Sequence, residues 1–168
     1  MLGKKLKWIK KVFDNAHVEF WLSGGQVLGL IREGGFLYND HDIDLGMHEK
    51  DLWRALEALK KEKTEYEIRK INNMTPRALK ISRGIDVFIF HIRGDEAYAV
   101  THCEGFGYAY HMYPKTLFES FQEIEFQGEK YRVPNPPERY LELEYGDWKI
   151  KKDRWNCCDH PPCVRKKL

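Results

Sequence analysis

FLYNDHDIDLGM, residues 36–47, is the stretch on which the reading of the chain turns. Asp40, His41, Asp42 and Asp44 fall within five positions, and the segment then becomes apolar. Like charges held close together destabilise a fold unless something neutralises them. Such a run is either a solvated loop or the edge of a cation site. Residues 43–47 read as a strand. Side chains alternate along a strand, so Asp42 and Asp44 share one face while Ile43 and Leu45 enter the core on the other. Asp40 joins the acidic face if the strand begins early. Two carboxylates at the start of a buried strand are well placed to hold Mg²⁺, a hard cation that prefers oxygen ligands. D-x-D alone is a weak pattern, as common on a solvated loop, so the neighbouring elements carry the decision.

Upstream, residues 17–22 (HVEFWL) read as a short strand and residues 23–25 are SGG. A helical pattern follows over 26–32, with Val27, Leu30 and Ile31 on one face, and Gly34-Gly35 closes it. A helix N-terminus after glycines presents free backbone N–H groups to an anion. The plainer alternative is an ordinary tight turn. Side by side, an anion cradle at Ser23, Gly24 and Gly25 and a pair of carboxylates suit a metal-bound phosphate ester or diphosphate.

Downstream, RALKISRGIDVFIF (residues 77–90) reads as a hairpin. A two-residue Arg83-Gly84 loop would force Arg83 to positive φ, which is unfavourable. A three-residue Ser82-Arg83-Gly84 loop puts Gly84 there instead. That register pairs Ile81 with Ile85, Lys80 with Asp86 and Leu79 with Val87. One face is then uniformly apolar, and the other carries Lys80 and Asp86. This is either a plain cross-strand ion pair, or Asp86 completes the metal site while Lys80 contacts phosphate.

The remaining pattern gives a basic amphipathic helix over 4–13, a helix over 51–63 and strands over 66–71, 98–101 and 108–113. A hairpin spans 121–133 about Gln127-Gly128, and a last helix lies in NPPERYLELEYG (135–146). The lysine face of the first helix reads as solvated; contact with a membrane surface is the weaker alternative. The chain has 168 residues, 42% of them hydrophobic and 32% charged, which suits one soluble domain. A net charge of +2 is not that of a dedicated nucleic-acid binder. No apolar run is long enough to cross a bilayer, and no signal-peptide h-region is present. The expected compartment is the cytoplasm.

Three stretches together resemble the LicD / fukutin-related family of the nucleotidyltransferase superfamily: WLSGGQVLGLIREGGFLYNDHDIDLGM (21–47), IDVFIF (85–90) and VPNPPERYLELEYGDW (133–148). The glycine pair, the G-x-x-R helix and the aspartate cluster fall in the family's order. His41 stands where the family often has another aspartate. The chain is short for the family, which implies reduced acceptor-binding elaborations.

The resemblance implies an α+β (mixed α/β) nucleotidyltransferase-like fold, its mixed, largely antiparallel sheet flanked by helices. Residues 1–148 are expected to form the catalytic domain and 149–168 a basic Cys/Pro-containing tail. It further implies an enzyme: a Mg²⁺-dependent transferase that moves a phosphoalcohol, such as phosphocholine or ribitol phosphate, from a CDP-activated donor to a glycan hydroxyl and releases CMP. Asp42 and Asp44 would hold one or two Mg²⁺ ions, and Ser23, Gly24 and Gly25 would bind phosphate oxygens. Asp86 would complete the metal set and accept the acceptor's proton. Arg32 would either reach the phosphates or form a structural ion pair. His91, His102 and His111 are candidate bases or, more plainly, packing partners. Two other readings stand beside this one: direct nucleotidyl transfer from an NTP to a small molecule or protein, and a non-catalytic nucleotide-binding module. Three clustered acids speak against the last.

The cysteines are Cys103, Cys157, Cys158 and Cys163, the last three in WNCCDHPPCV with His160. Cys157 or Cys158 with His160, Cys163 and Cys103 could bind a structural Zn²⁺ tetrahedrally, although the spacing is that of no standard finger. Reduced thiols in a loose tail are the alternative.

Overall fold

The computed structural model describes residues 1–103, 107–152 and 164–165. The fold is mixed α/β, as expected. Its centre is the parallel pair β2 (Ile43–His48) and β5 (Ile85–Arg93), flanked by the antiparallel strands β1 (Phe20–Leu22) beside β2 and β4 (Thr75–Ile81) beside β5. β3 (Tyr66–Ile71) continues from β4. The long β5 serves two halves. Its first six residues pair with β2, and residues 91–93 pair with β6 (Glu96–Cys103), which pairs with β7 (Gly107–Pro114). The backbone of β10 (Val164–Arg165) adds to β7. β8 (Phe121–Phe126) and β9 (Glu129–Pro134) form a separate hairpin through Gln127-Gly128, both at positive φ.

Alternation sorts this sheet into two faces. Ile43, Leu45, Met47, Leu79, Ile81, Ile85, Val87 and Ile89 are all buried in the core. The same core takes the apolar stripes of α1 (Leu2–Asn15) and α3 (Leu52–Lys61). Leu6, Ile9, Val12 and Phe13 of α1 are buried, at about 1.5–3 kcal/mol each for the larger side chains. The apolar face of α1 is thus spent on the core. Arg83, at the β4–β5 turn, stacks 4.2 Å over the Trp8 ring and ties that turn to α1. The opposite face of β2 and β5 presents Asp44, Gly46, Asp86 and Phe88 beside α2 (Gly24–Glu33) and α4 (Pro137–Tyr145). Gly46 has no side chain because Trp21 occupies the space: a Cβ there would lie 2.2 Å from the indole Nε1.

Most elements extend a residue or two beyond the sequence reading, and two boundaries differ for a visible physical reason. Residues 17–19 are not strand. His17 sits at φ 53°, and the Val18 N–H returns to the Phe13 carbonyl at 2.9 Å, so the end of α1 consumes them. The helix expected from residue 51 begins at Leu52, after a 3₁₀ turn over Glu49–Asp51. Asp51 is fully buried there and ion-paired with Arg54. No helix among the described residues is long and apolar enough to cross a membrane. Cys157, Cys158, His160, Cys163 and the side chain of Cys103 lie outside the described residues.

Candidate active site

Strand register builds the acidic centre. Asp44 stands directly opposite Asp86 across the parallel β2–β5 pair, and Asp86 stands opposite Lys80 across β4–β5. One carboxylate oxygen from each of Asp42, Asp44 and Asp86 lies within 4.8 Å of the others. Among the described residues this is the only such grouping of three or more His, Cys, Asp or Glu side chains. Lys80 Nζ lies 2.5 Å from Asp86 Oδ2. The hairpin register read from the sequence is the one observed.

The electrostatics follow from the crowding. Burial pushes the Asp44 carboxyl up to about 8, and the charges of Asp42, Asp86 and Asp40 push the same way against Lys80. Asp40 is raised too, by burial and then by Asp42. One ammonium beside three converging carboxylates, with Asp40 nearby, leaves an excess of negative charge once Asp44 is ionised. An all-oxygen donor set with that charge fits a hard divalent cation.

α2 closes the site from the other side. Ser23 is its N-cap, Gly24 opens the helix at φ 52°, and Gly34 ends it in the left-handed region at φ 71°. A Cβ on Gly24 would lie 3.3 Å from Asp44 Oδ2, so the helix N-terminus faces the acids. A Cβ on Gly25 would lie 3.1 Å from an Asp40 carboxylate oxygen. The strand does not begin early enough for Asp40 to join the trio; the residue turns toward the start of α2 instead. Tyr140, on α4, locks the glycine turn. Its hydroxyl accepts the Gly24 N–H at 2.9 Å and lies 3.0 Å from Ser23 Oγ.

Gln26 is the functional neighbour that the sequence did not single out. It is fully buried. Its Oε1 accepts the Asp44 N–H at 2.7 Å, and its Nε2 donates to the Asp42 carbonyl at 3.1 Å and to Asp40 Oδ2 at 3.4 Å. One amide therefore fixes the backbone on both sides of Ile43. A glutamine in the first turn of a helix carries no local signal of such a role, since its partners lie 14–18 residues away.

Asp44, Gly24 and Gly25 line a cleft of about 970 Å³ between α2, β6–β7 and α4. Arg32 also lines it, but its guanidinium donates to the Trp148 carbonyl at 2.9 Å and pairs with Glu33 at 2.7 Å. That is the structural role. Of the three histidines, only His111 lines this cleft. His91 engages Glu49 at 2.9 Å through Nδ1 and the Pro76 carbonyl at 2.8 Å through Nε2, which is a structural role. His102 is exposed and packs edge-on to Tyr108.

Residues 17–136 match the family model of the LicD/FKTN/FKRP nucleotidyltransferase domain. The chain is 35% identical over 51 residues to mouse ribitol 5-phosphate transferase FKRP, covering 30% of this chain and 10% of that one. It is 26% identical to mouse ribitol-5-phosphate transferase FKTN, covering 95% of this chain and 36% of that one. An uncharacterised Rickettsia typhi protein, RT0683, is 27% identical over 88% of this chain and 46% of its own. The chain thus spans less than half the length of each of these three relatives. Among solved structures, the lincomycin-bound lincosamide adenylyltransferase LnuA superposes with a TM-score of 0.54 at 17% identity, over 82% of this chain and 83% of that one. ANT(2")-Ia in complex with adenylyl-2"-tobramycin gives 0.51 at 13% identity, over 78% and 67%. At these identities the likeness is one of fold.

Proposed function

The chain belongs to the LicD/FKTN/FKRP nucleotidyltransferase-domain family, and we propose that it is a transferase that moves a phosphoalcohol group from a CDP-activated donor to a glycan hydroxyl, releasing CMP. The observation that carries this is the convergence of Asp42, Asp44 and Asp86, of which Asp44 lies against the start of α2 and lines the cleft. Diphosphate chemistry needs charge neutralisation and in-line positioning more than covalent help. Family membership and the ribitol-phosphate activity named for two relatives support the choice of transferred group over simple nucleotidyl transfer.

In this reading Asp42, Asp44 and Asp86 hold one or two Mg²⁺ ions, which when bound supply charge neutralisation on the diphosphate. The start of α2 faces the phosphates with the positive end of its dipole. Tyr140 and Gln26 hold that turn and the acidic backbone in place. The acceptor oxygen attacks the phosphorus distal to the cytidine. The bridging P–O bond breaks, its electron pair leaves with CMP, and the hydroxyl proton passes to the carboxylate of Asp86. Lys80, paired with Asp86, keeps positive charge beside the phosphates. The catalytic unit lies within residues 1–148.

The test is product analysis with Mg²⁺, a hydroxyl acceptor and either CDP-ribitol or CDP-choline. CMP is expected from the wild-type chain, with turnover at least a thousandfold lower, roughly, in Asp44→Asn. Pyrophosphate released from an NTP, with both CDP-alcohols inert, would replace this reading with direct nucleotidyl transfer.

A further inference from the structure

We propose that Arg77, set on the acidic face of the sheet by a β-bulge, is a further phosphate-binding residue, which takes one phosphate of a diphosphate donor from the side opposite α2. The proposal deepens the donor reading above and rests on it. β3 and β4 pair regularly from Tyr66 opposite Ile81 to Arg69 opposite Ala78. The next pair is Lys70 opposite Pro76, so Arg77 is an extra residue with no partner on β3. Bulges re-aim side chains and are common beside active sites. Plain alternation would send Arg77 to the core with Leu79 and Ile81. The charges that act on it are instead those of Arg69, Glu67 and Asp86. Register puts these on the other face: Glu67 and Asp86 both stand opposite Lys80, and Arg69 stands opposite Ala78. The start of α2 lies against Asp44 on β2, while β4 lies beyond β5, so the acids stand between the two.

The environment is that of a cation kept for a ligand. Lys80, on the same strand, is already paired with Asp86. Arg77 has no carboxylate at ion-pair distance among the described residues, and its buried Nε finds no acceptor there. Burial pushes its guanidinium below the ordinary arginine value. Carrying a charge into a part-buried place without an anion is costly, and no structural hydrogen bond offsets it here. What holds the group is a ring. Its guanidinium carbon lies 5.9 Å from the Tyr108 centroid, and the Tyr108 hydroxyl donates to the Lys70 carbonyl at 3.5 Å, beside the same bulge. A ring face orients a cation without neutralising it. The side chain stays partly exposed, so an anion can reach it. A guanidinium is a planar fork of N–H donors that matches phosphate oxygens in pairs, which an ammonium cannot do. A diphosphate held at the three aspartates supplies the missing anion.

The experiment is calorimetric titration of the full chain with CDP and with inorganic pyrophosphate in the presence of Mg²⁺, using wild type, Arg77→Gln and Arg77→Lys, with melting temperatures of the ligand-free proteins beside it. Arg77→Gln is expected to weaken both ligands roughly tenfold or more, the worth of a charge-assisted hydrogen bond. Its ligand-free melting temperature stays level or rises, because an unpaired, part-buried cation has been removed. Arg77→Lys keeps the charge without the fork and regains part of the affinity. Equal binding of both ligands by wild type and Arg77→Gln would overturn the proposal. So would a loss of affinity accompanied by a lower ligand-free melting temperature, which would mark Arg77 as structural, and so would a wild type that binds neither ligand. The two readings separate on the nucleoside. If pyrophosphate binds and is weakened by Arg77→Gln while CDP does not bind, Arg77 stands as a phosphate ligand and the cytidine donor fails. If CDP binds equally to all three proteins, Arg77 fails alone.

Discussion

Gln26 and Asp44 show how much of the centre depends on single side chains. Gln26→Leu keeps the volume but leaves the Asp44 N–H and the Asp42 carbonyl without their partner. Each buried group so orphaned costs about 1–3 kcal/mol. Denaturant unfolding should show a loss of about 2–4 kcal/mol, and divalent-ion affinity should fall with it as the carboxylates lose their setting. A variant as stable as wild type would remove Gln26 from the account. Asp44 carries a pH dependence. Its carboxyl keeps a proton up to about 8 in the folded chain, against an ordinary value of 3.8. The folded chain then binds the extra proton between those values, so the stability of the metal-free protein should fall as pH rises from about 4 to 8. Melting temperatures in a chelating buffer should show this fall, and Asp44→Asn should flatten it and melt higher at pH 8. A wild-type melting temperature that rises over the same window would contradict the crowding of acids described above. The aspartates themselves were plain in the sequence because D-x-D at a strand start is a local pattern. Gln26 was not, because its work is done across space.

At the scale of elements, α2 is the piece whose glycines have separate reasons. Gly29 lies where a Cβ would come within 2.5 Å of the Gly35 carbonyl, a backbone atom that cannot swing aside. Gly29→Ala should therefore destabilise the chain by about 1–3 kcal/mol in denaturant titration. Gly25 is different. The atoms nearest its Cβ would be those of the movable Asp40 carboxylate, so Gly25→Val should fold while obstructing the start of the helix. Nucleotide affinity is expected to drop at least tenfold with little change in melting temperature; unchanged affinity would show that no phosphate approaches this turn. The β4–β5 hairpin was legible residue by residue, since loop chemistry and apolar alternation both fixed the register that pairs Lys80 with Asp86. The start of β1 was not. The apolar character of residues 17–22 suits a strand, but the return of Val18 to Phe13 closes α1 first.

For the whole molecule, the decisive relation is the parallel pairing of β2 with β5, two strands joined through α3, β3 and β4. No turn records that pairing in the sequence. The placement of Asp86 beside Asp42 and Asp44 follows from face alternation together with the family resemblance, and in the structure Asp44 stands opposite Asp86. The cleft wall on β6 and β7 was the least legible part. Thr101, His111 and Glu144 are brought together by strand pairing and by α4, over separations no local pattern spans. The same architecture concentrates acidic charge at one point, and the whole account stands on what that point holds. The most direct measurement is calorimetric titration of Mg²⁺ into metal-free protein at pH 8, for wild type, Asp44→Asn and Asp86→Asn. Saturable binding to wild type, weakened at least tenfold in both variants while they remain folded, is the expected result. Equal binding by all three proteins, or none by wild type, would contradict a metal centre at Asp42, Asp44 and Asp86.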